Sequence, residues 1–151
     1  MAYQKLQVER ALTVIASDTI NIPNVAGPTV SGTTDGVTAN KLVDSTASFT
    51  SNLLGYIVYS GIQVATVTAV DDANTLSLSA DIMASGEAYT LYADDNNGCV
   101  LYVGNTGNVR VLTAGNDDVT FVGIPAGAFV PVQVKRVFAT DTDATDIVAL
   151  W

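Results

Sequence analysis

The sequence predicts an all-β protein, and three observations lead there. From Gly98 to Trp151 the chain is a series of five apolar runs parted by turn residues. Each run is short and rich in Val, Phe, Tyr and Leu, the texture of strands. Several runs alternate, with Val109 and Val111 set against Arg110 and Leu112, and Val130, Val132 and Val134 against Pro131, Gln133 and Lys135, as a strand with one packed face requires. Helical spacing of apolar residues is absent from the whole segment.

Taken from the start, Tyr3 to Ile15 place Leu6, Val8, Leu12 and Val14 on one alternation phase and Gln7 and Thr13 on the other, which predicts an extended arm or strand. Ser17-Asp18-Thr19 breaks it. Ile20 to Pro23 is short and extended, because the residue before a proline is steered to the β region. Asn24 to Asn40, with Gly27, Pro28, Gly32 and Gly36 among small polar residues, reads as a linker. A block of different texture follows from Lys41 to Tyr92. Its runs start at Lys41, Tyr56, Gln63, Thr75 and Ala88 and interleave Val64, Ala65, Val67, Ala69, Leu76 and Leu78 with Thr66, Thr68 and Ser77, as a small twisted sheet or barrel with one wet face does. Asp71 to Asn74 predicts a hairpin turn, Asp81 to Gly86 a loop, and Asp94 to Gly98 a polar close to the block. In the last third, Gly104 to Gly107, Ala114 to Asp117 and Thr140 to Asp143 separate the strands, the first read as a hairpin turn.

The block is self-contained, and the end of Ile20 to Pro23 is expected to pair with what begins at Cys99. The block therefore reads as an insertion, residues 29–93, in a discontinuous host lobe of residues 1–28 and 94–151. Loop closure costs only about 0.6 kcal/mol per doubling of loop length, so a folded insert in a surface connection is tolerated.

Composition narrows the function classes. Hydrophobic residues make up 48% of the 151 and charged ones 14%, ample for a core and against disorder. Six Lys and Arg against fifteen Asp and Glu give a net charge of −9, which phosphate backbones repel, so no nucleic-acid partner is expected. No run approaches the ~20 apolar residues of a membrane span, and the N-terminal residues lack a signal core; a soluble, uncleaved chain is expected. A lone cysteine, Cys99, forms no internal disulfide and sits in an apolar run as a small hydrophobe.

The order of the pieces Ser17-Asp-Thr-Ile-Asn-Ile-Pro23, Val100-Leu-Tyr-Val-Gly104, Gly107-Asn-Val-Arg-Val111, Val119 to Gly127, Pro131 to Val137 and Ala144 to Trp151 resembles the spike-base proteins of gene transfer agents and related small virion structural proteins of tailed bacteriophages. Members of that family often run directly from the Ser-Asp-Thr…Pro stretch into the Leu-Tyr-Val-Gly strand, the point at which this chain carries its extra block. The block itself, with Lys41 to Phe49, Ala65 to Val70 and Leu76 to Asp81, is similar to small β modules of phage structural proteins. The resemblance covers most of the host lobe and rests on many short pieces in order. It implies an antiparallel β-sandwich, jelly-roll-like, carrying a small β-barrel-like module and assembling on a particle.

Site chemistry is thin. Without a histidine neither a histidine triad nor a histidine metal site can form, and Cys99 has no neighbour to make it a thiolate. None of the acidic groups Asp71-Asp72, Asp94-Asp95, Asp117-Asp118 and Asp141, Asp143 and Asp146 matches a calcium loop, the last lacking both the mid-loop glycine and the terminal glutamate, and they read as turn residues; every acid is expected in a polar turn. Gly104 to Gly107 lacks the lysine and following helix of a phosphate loop. No enzyme, cofactor or metal is expected. Candidate interface residues are Leu6, Val8 and Leu12 of the arm, which would add a strand to a neighbour, the adjacent basic pair Lys135 and Arg136, and Trp151, an aromatic at the end of an apolar strand. The expected function is non-enzymatic assembly in the virion, made in the bacterial host cytoplasm, as head decoration or spike or fibre base. The expected partners are copies of itself in a closed homo-oligomer such as a trimer, and a major capsid protein or a fibre or spike protein. The alternative is a carbohydrate-binding sandwich, for which Tyr56, Tyr59, Tyr89 and Tyr92 are the local concentration of aromatics.

Overall fold

The computed structural model describes residues 8–151, so Leu6 lies outside the described residues. The strands are, in chain order, β1 (Ala11–Thr13), β2 (Val30–Thr33), β3 (Lys41–Val43), β4 (Ile57–Ser60), β5 (Gln63–Asp72), β6 (Thr75–Leu78), β7 (Ala88–Tyr92), β8 (Cys99–Val103), β9 (Gly107–Thr113), β10 (Asp118–Ile124), β11 (Ala128–Val137) and β12 (Ile147–Leu150), with one 3-10 turn at Ser51–Leu53. The chain is all-β and antiparallel, and divides into two units, Met1–Ala26 with Asn96–Trp151, and Gly27–Asp95.

The first unit, the host lobe, has the sheet order β1-β12-β8-β11-β9-β10. β8 lies against Ala128 to Val130 at the start of β11, and β9 against Val134 to Val137 at its end. Both run antiparallel to β11, so on a flat sheet the end of β8 and the start of β9 would be more than about 30 Å apart at ~3.3 Å per residue. The short loop Gly104 to Thr106 joins them, and its reach is about 14 Å. β11 must therefore bend, carrying the sheet from one layer, β1-β12-β8, to a second, β9-β10. Its register shifts between Val130 and Val134 and again between Val134 and Arg136, the irregularities by which a strand changes layer in a sandwich. Between the layers Leu101, Val103, Val130 and Ala149 meet Val109, Val111 and Val134, each at most 1% exposed. Each such buried Val or Leu contributes about 1.5–3 kcal/mol relative to exposure.

The structure departs from three expectations. Ile20 to Pro23 does not pair with the strand at Cys99: Ile22 N–H donates to the Lys135 carbonyl at 2.8 Å and Ser17 N–H to that of Val137 at 2.9 Å, because β8 leaves β11 at Val134 and the vacated flank of β11 needs a partner. Gly104 to Gly107 is not a hairpin turn, since β11 lies between β8 and β9. The loop instead passes close over the segment before β12, with Gly104 N–H donating to the Asp146 carbonyl at 3.0 Å and a Cβ on Gly107 placed 2.5 Å from Ala144 N. The arm forms a strand only at Ala11–Thr13 among the described residues, and it pairs with β12 of its own chain, Ala11 opposite Leu150 and Thr13 opposite Val148.

The second unit has the order β2-β7-β4-β5-β6-β3. β5 pairs with β4 through Gln63 to Thr66 and with β6 through Val67 to Asp72, with register shifts along the second half. The two ends of the order then meet, Asp35 N–H after β2 donating to the Val43 carbonyl at the end of β3 at 3.1 Å. That closure makes the module barrel-like around Leu42, Val58, Val67, Leu76 and Leu91. The stretch read as a linker is thus partly wrong: Val30–Thr33 is β2, paired with β7, and a four-residue strand with one glycine lacks the run of apolar residues that would announce it.

Candidate interaction surface

The sequence candidates separate. Leu12 faces inward, since its β12 and β8 partners Ala149 and Leu101 are core residues. Val8 is 38% exposed. Trp151 is half-buried against the core, its indole N–H donating to Asn96 Oδ1 at 3.1 Å and its carbonyl accepting from Glu9 N–H at 2.7 Å. Asn96, buried, accepts from Gly98 N–H at 2.9 Å as well, so one side chain ties the last strand to the start of β8. Arg136 is committed inside the lobe. Its Nε donates to Asn21 Oδ1 and its Nη1 to the Asp18 carbonyl, both at 3.0 Å, which holds the Ser17 to Ile22 segment on the flank of β11. Lys135 reaches Asn116 Oδ1 at 3.3 Å.

A surface the sequence reading missed lies on the outside of the first layer. Phe129, Tyr102, Val148 and Thr13 form one row across β11, β8, β12 and β1, and Val100, Leu150 and Ala11 form the next. Their neighbours in sequence point into the core, so these side chains point out. Phe129 is 54% exposed and stands edge-on to Tyr102 with ring centroids 5.6 Å apart; Pro131 beyond it is exposed. No charged side chain occupies either row. The signal was present as the residues between the buried ones, Val100, Tyr102, Val148 and Leu150, which are as apolar as their buried neighbours; a single wet face would carry polar residues there.

The outside of the second layer is its opposite. Arg110 donates to both oxygens of Asp118, Nε at 2.9 Å and Nη2 at 2.7 Å, and to Asp141 at 3.4 Å, with its guanidinium 4.5 Å over the Phe138 ring. The bidentate bond from Arg110 holds the Asp118 carboxyl below its usual range. A cleft beside it is lined by Asn108, Thr120, Asp141, Thr142 and Asp143; Asn108 Oδ1 accepts from Gly123 N–H and Thr142 Oγ1 from Arg110 N–H, so the cleft groups serve the backbone.

Elsewhere the polar clusters are structural in form. Asp44 corrects the expectation that every acid sits in a wet turn: it is 2% exposed and accepts from Tyr89 Oη at 2.8 Å and from Thr46 Oγ1 at 2.6 Å. The Thr46 hydroxyl, with Tyr89, holds its carboxyl low, while burial and this carboxylate push the Tyr89 phenol up. Tyr89 is thereby removed from any exposed aromatic platform, and Tyr59 and Tyr92 pack edge-on at 5.7 Å. Lys41 Nζ donates to Ser77 Oγ at 2.6 Å and to Asp71 at 2.7 Å; the lysine is tied to the carboxylate and donates to the serine rather than taking its proton. Burial pushes the Cys99 thiol up to about 12, and its Sγ lies 3.3 Å from the Val134 carbonyl. Among the described residues no three acids or thiols converge as a metal site, and no helix is long and apolar enough to cross a membrane. No family model, curated protein or solved structure matches the chain.

Proposed function

We propose that the chain is a non-enzymatic structural protein of a phage-like virion, attaching to a capsid shell or to a fibre or spike protein as head decoration or spike base, and assembling as a homo-oligomer. The observation that carries this reading is the uncharged outer face of the first layer, two rows of apolar and aromatic side chains across four strands. A contiguous apolar face, half-buried at Val100, Tyr102, Val148 and Leu150 and open at Phe129, on a lobe with a buried core of its own supports a contact surface, and Tyr and Phe are the residues that anchor such contacts. The resemblance of the host strands to spike-base proteins supplies the particle. Tyr102 and Phe129 would also suit a sugar, but the two rows offer just the Thr13 and Tyr102 hydroxyls as polar groups, and a sugar site needs several polar groups to orient the ring; a protein partner fits better.

The test is co-sedimentation of the purified chain with particles lacking it. Wild type should pellet with them and Phe129→Glu should not, with an unchanged melting temperature. Retention of a polysaccharide that depends on Phe129, with no particle binding, would put the carbohydrate-binding reading ahead.

A further inference from the structure

We infer that β10 is a two-fold contact, pairing antiparallel with β10 of a second copy so that the second layers of two host lobes become one continuous sheet. This deepens the homo-oligomer part of the proposed function and uses a different surface from the apolar outer face.

β10 ends the sheet order, and its backbone direction is set by its neighbour. Arg110 spends its backbone groups toward β11, its N–H donating to Thr142 Oγ1 at 3.0 Å and its carbonyl accepting from Phe138 N–H at 2.9 Å. Val109 and Val111 therefore serve β10, through Phe121 and Val119. Thr120, opposite Arg110, accordingly turns its N–H and carbonyl to the open edge, and the alternation gives Asp118 and Val122 the same direction. An open edge of this kind is a template for another strand.

The occupant that fits is the same strand from a second copy. A two-fold axis at Thr120 pairs Thr120 with Thr120, Val119 with Phe121 and Asp118 with Val122. Residues of like facing then meet, as an antiparallel pair requires. On the inner face Val119, 38% exposed, and the half-buried Phe121 would extend the core across the junction, while Thr–Thr is a favourable cross-strand pair. The register also meets the charge condition. Asp118 is the sole charged side chain of the strand, it is neutralised by Arg110 within its own copy, and it faces a valine rather than its own counterpart. The edge lacks the lysine or proline by which solitary edge strands are usually blunted. The pairing stops at Val122, because the register breaks between Phe121 and Ile124 and Gly123, at φ +63°, turns its N–H back to Asn108 Oδ1 at 2.9 Å.

Sedimentation equilibrium of the full chain, from micromolar to several hundred micromolar, should show a species of even copy number. Thr120→Pro removes the outward N–H at a place where an edge strand tolerates proline, and should weaken self-association on the order of 100-fold without changing the circular dichroism spectrum. Independently of how that variant folds, Thr120→Cys should cross-link to dimer on mild oxidation, since Cα atoms of such a pair lie about 5.5 Å apart, within disulfide range, while Thr145→Cys should not. A wild-type monomer throughout, or an oligomer indifferent to Thr120→Pro with no Thr120→Cys cross-link, overturns the inference. A dimer that ignores particles leaves it standing and removes the proposed function instead.

Discussion

In Gly27–Asp95 the two ends of the strand order meet at the Asp35 N–H and the Val43 carbonyl, whereas in the host lobe the order runs out at β1 and β10. The charge differs in the same sense. The module holds eight Asp and Glu against the single Lys41, and the host lobe seven against five Lys and Arg. A curled, barrel-like sheet of high like charge is poorly suited to meet another copy of itself, and a nearly neutral lobe whose sheet order ends at β10 and whose outer face is apolar is better suited. The difference is why the proposed contacts are assigned to the host lobe, while the module buries a core of its own.

The largest test of that separation is a pair of core truncations. Leu101→Ala and Leu76→Ala each empty a fully buried site and should each cost about 2–5 kcal/mol. Scanning calorimetry should show Leu101→Ala lowering one transition and Leu76→Ala the other; a single transition moved equally by both would erase the distinction. Deleting residues 27–95 behind a short glycine linker should likewise leave a cooperative host transition, and a molten product would show that the host needs the module.

A smaller effect is confined to the module. Asp44→Ala leaves the Tyr89 hydroxyl buried without its acceptor and should cost about 1–3 kcal/mol in urea titration. The same pair makes the module sensitive at both ends of the pH scale. The Asp44 carboxyl is held below its usual 3.8, so its contribution is complete above that value and is lost as pH falls through the lowered one. The Tyr89 phenol is raised above 10.0, so its contribution is complete below 10.0 and is lost as pH climbs toward the raised value. Asp44→Asn with Tyr89→Phe should flatten both limbs in a pH series of melting temperatures. In the host lobe, Trp151→Phe removes the bond to Asn96 and should cost about 1 kcal/mol. The smallest change is expected from Arg110→Gln, whose partners Asp118 and Asp141 are in solvent; a clear shift in the denaturation midpoint would mean that the outer face of the second layer matters more than exposed ion pairs ordinarily do.

Alternation made most of the strands legible. Val109 and Val111, Leu76 and Leu78 were placed on buried faces from the sequence, and the structure buries them. What alternation does not encode is which strand lies beside which. The pairing of Ile20 to Pro23 and the turn at Gly104 to Gly107 were misread because β11 bends between layers, a long-range event that leaves only bulges near Val134. Asp44 escaped because a buried carboxylate depends on a phenol far away in sequence. Of the interface candidates, Arg136 is engaged within its own lobe, by the Asp18 carbonyl and the Asn21 side chain. The apolar outer face was hidden by the rule that one face of a strand is wet.

The pairing of Ala11 with Leu150 also fixes an order of events during synthesis. Strand β1 leaves the ribosome before the other strands and its partner β12 after them, so its ladder cannot form until all the strands between have been made, and such distant contacts close slowly. The module, whose strands all lie within Gly27–Asp95, is complete before β8 has been made and can fold while the host's first strand waits. The insertion is then a folded passenger in the middle of an unfinished lobe, shortening the effective loop that the host must close when its remaining strands emerge.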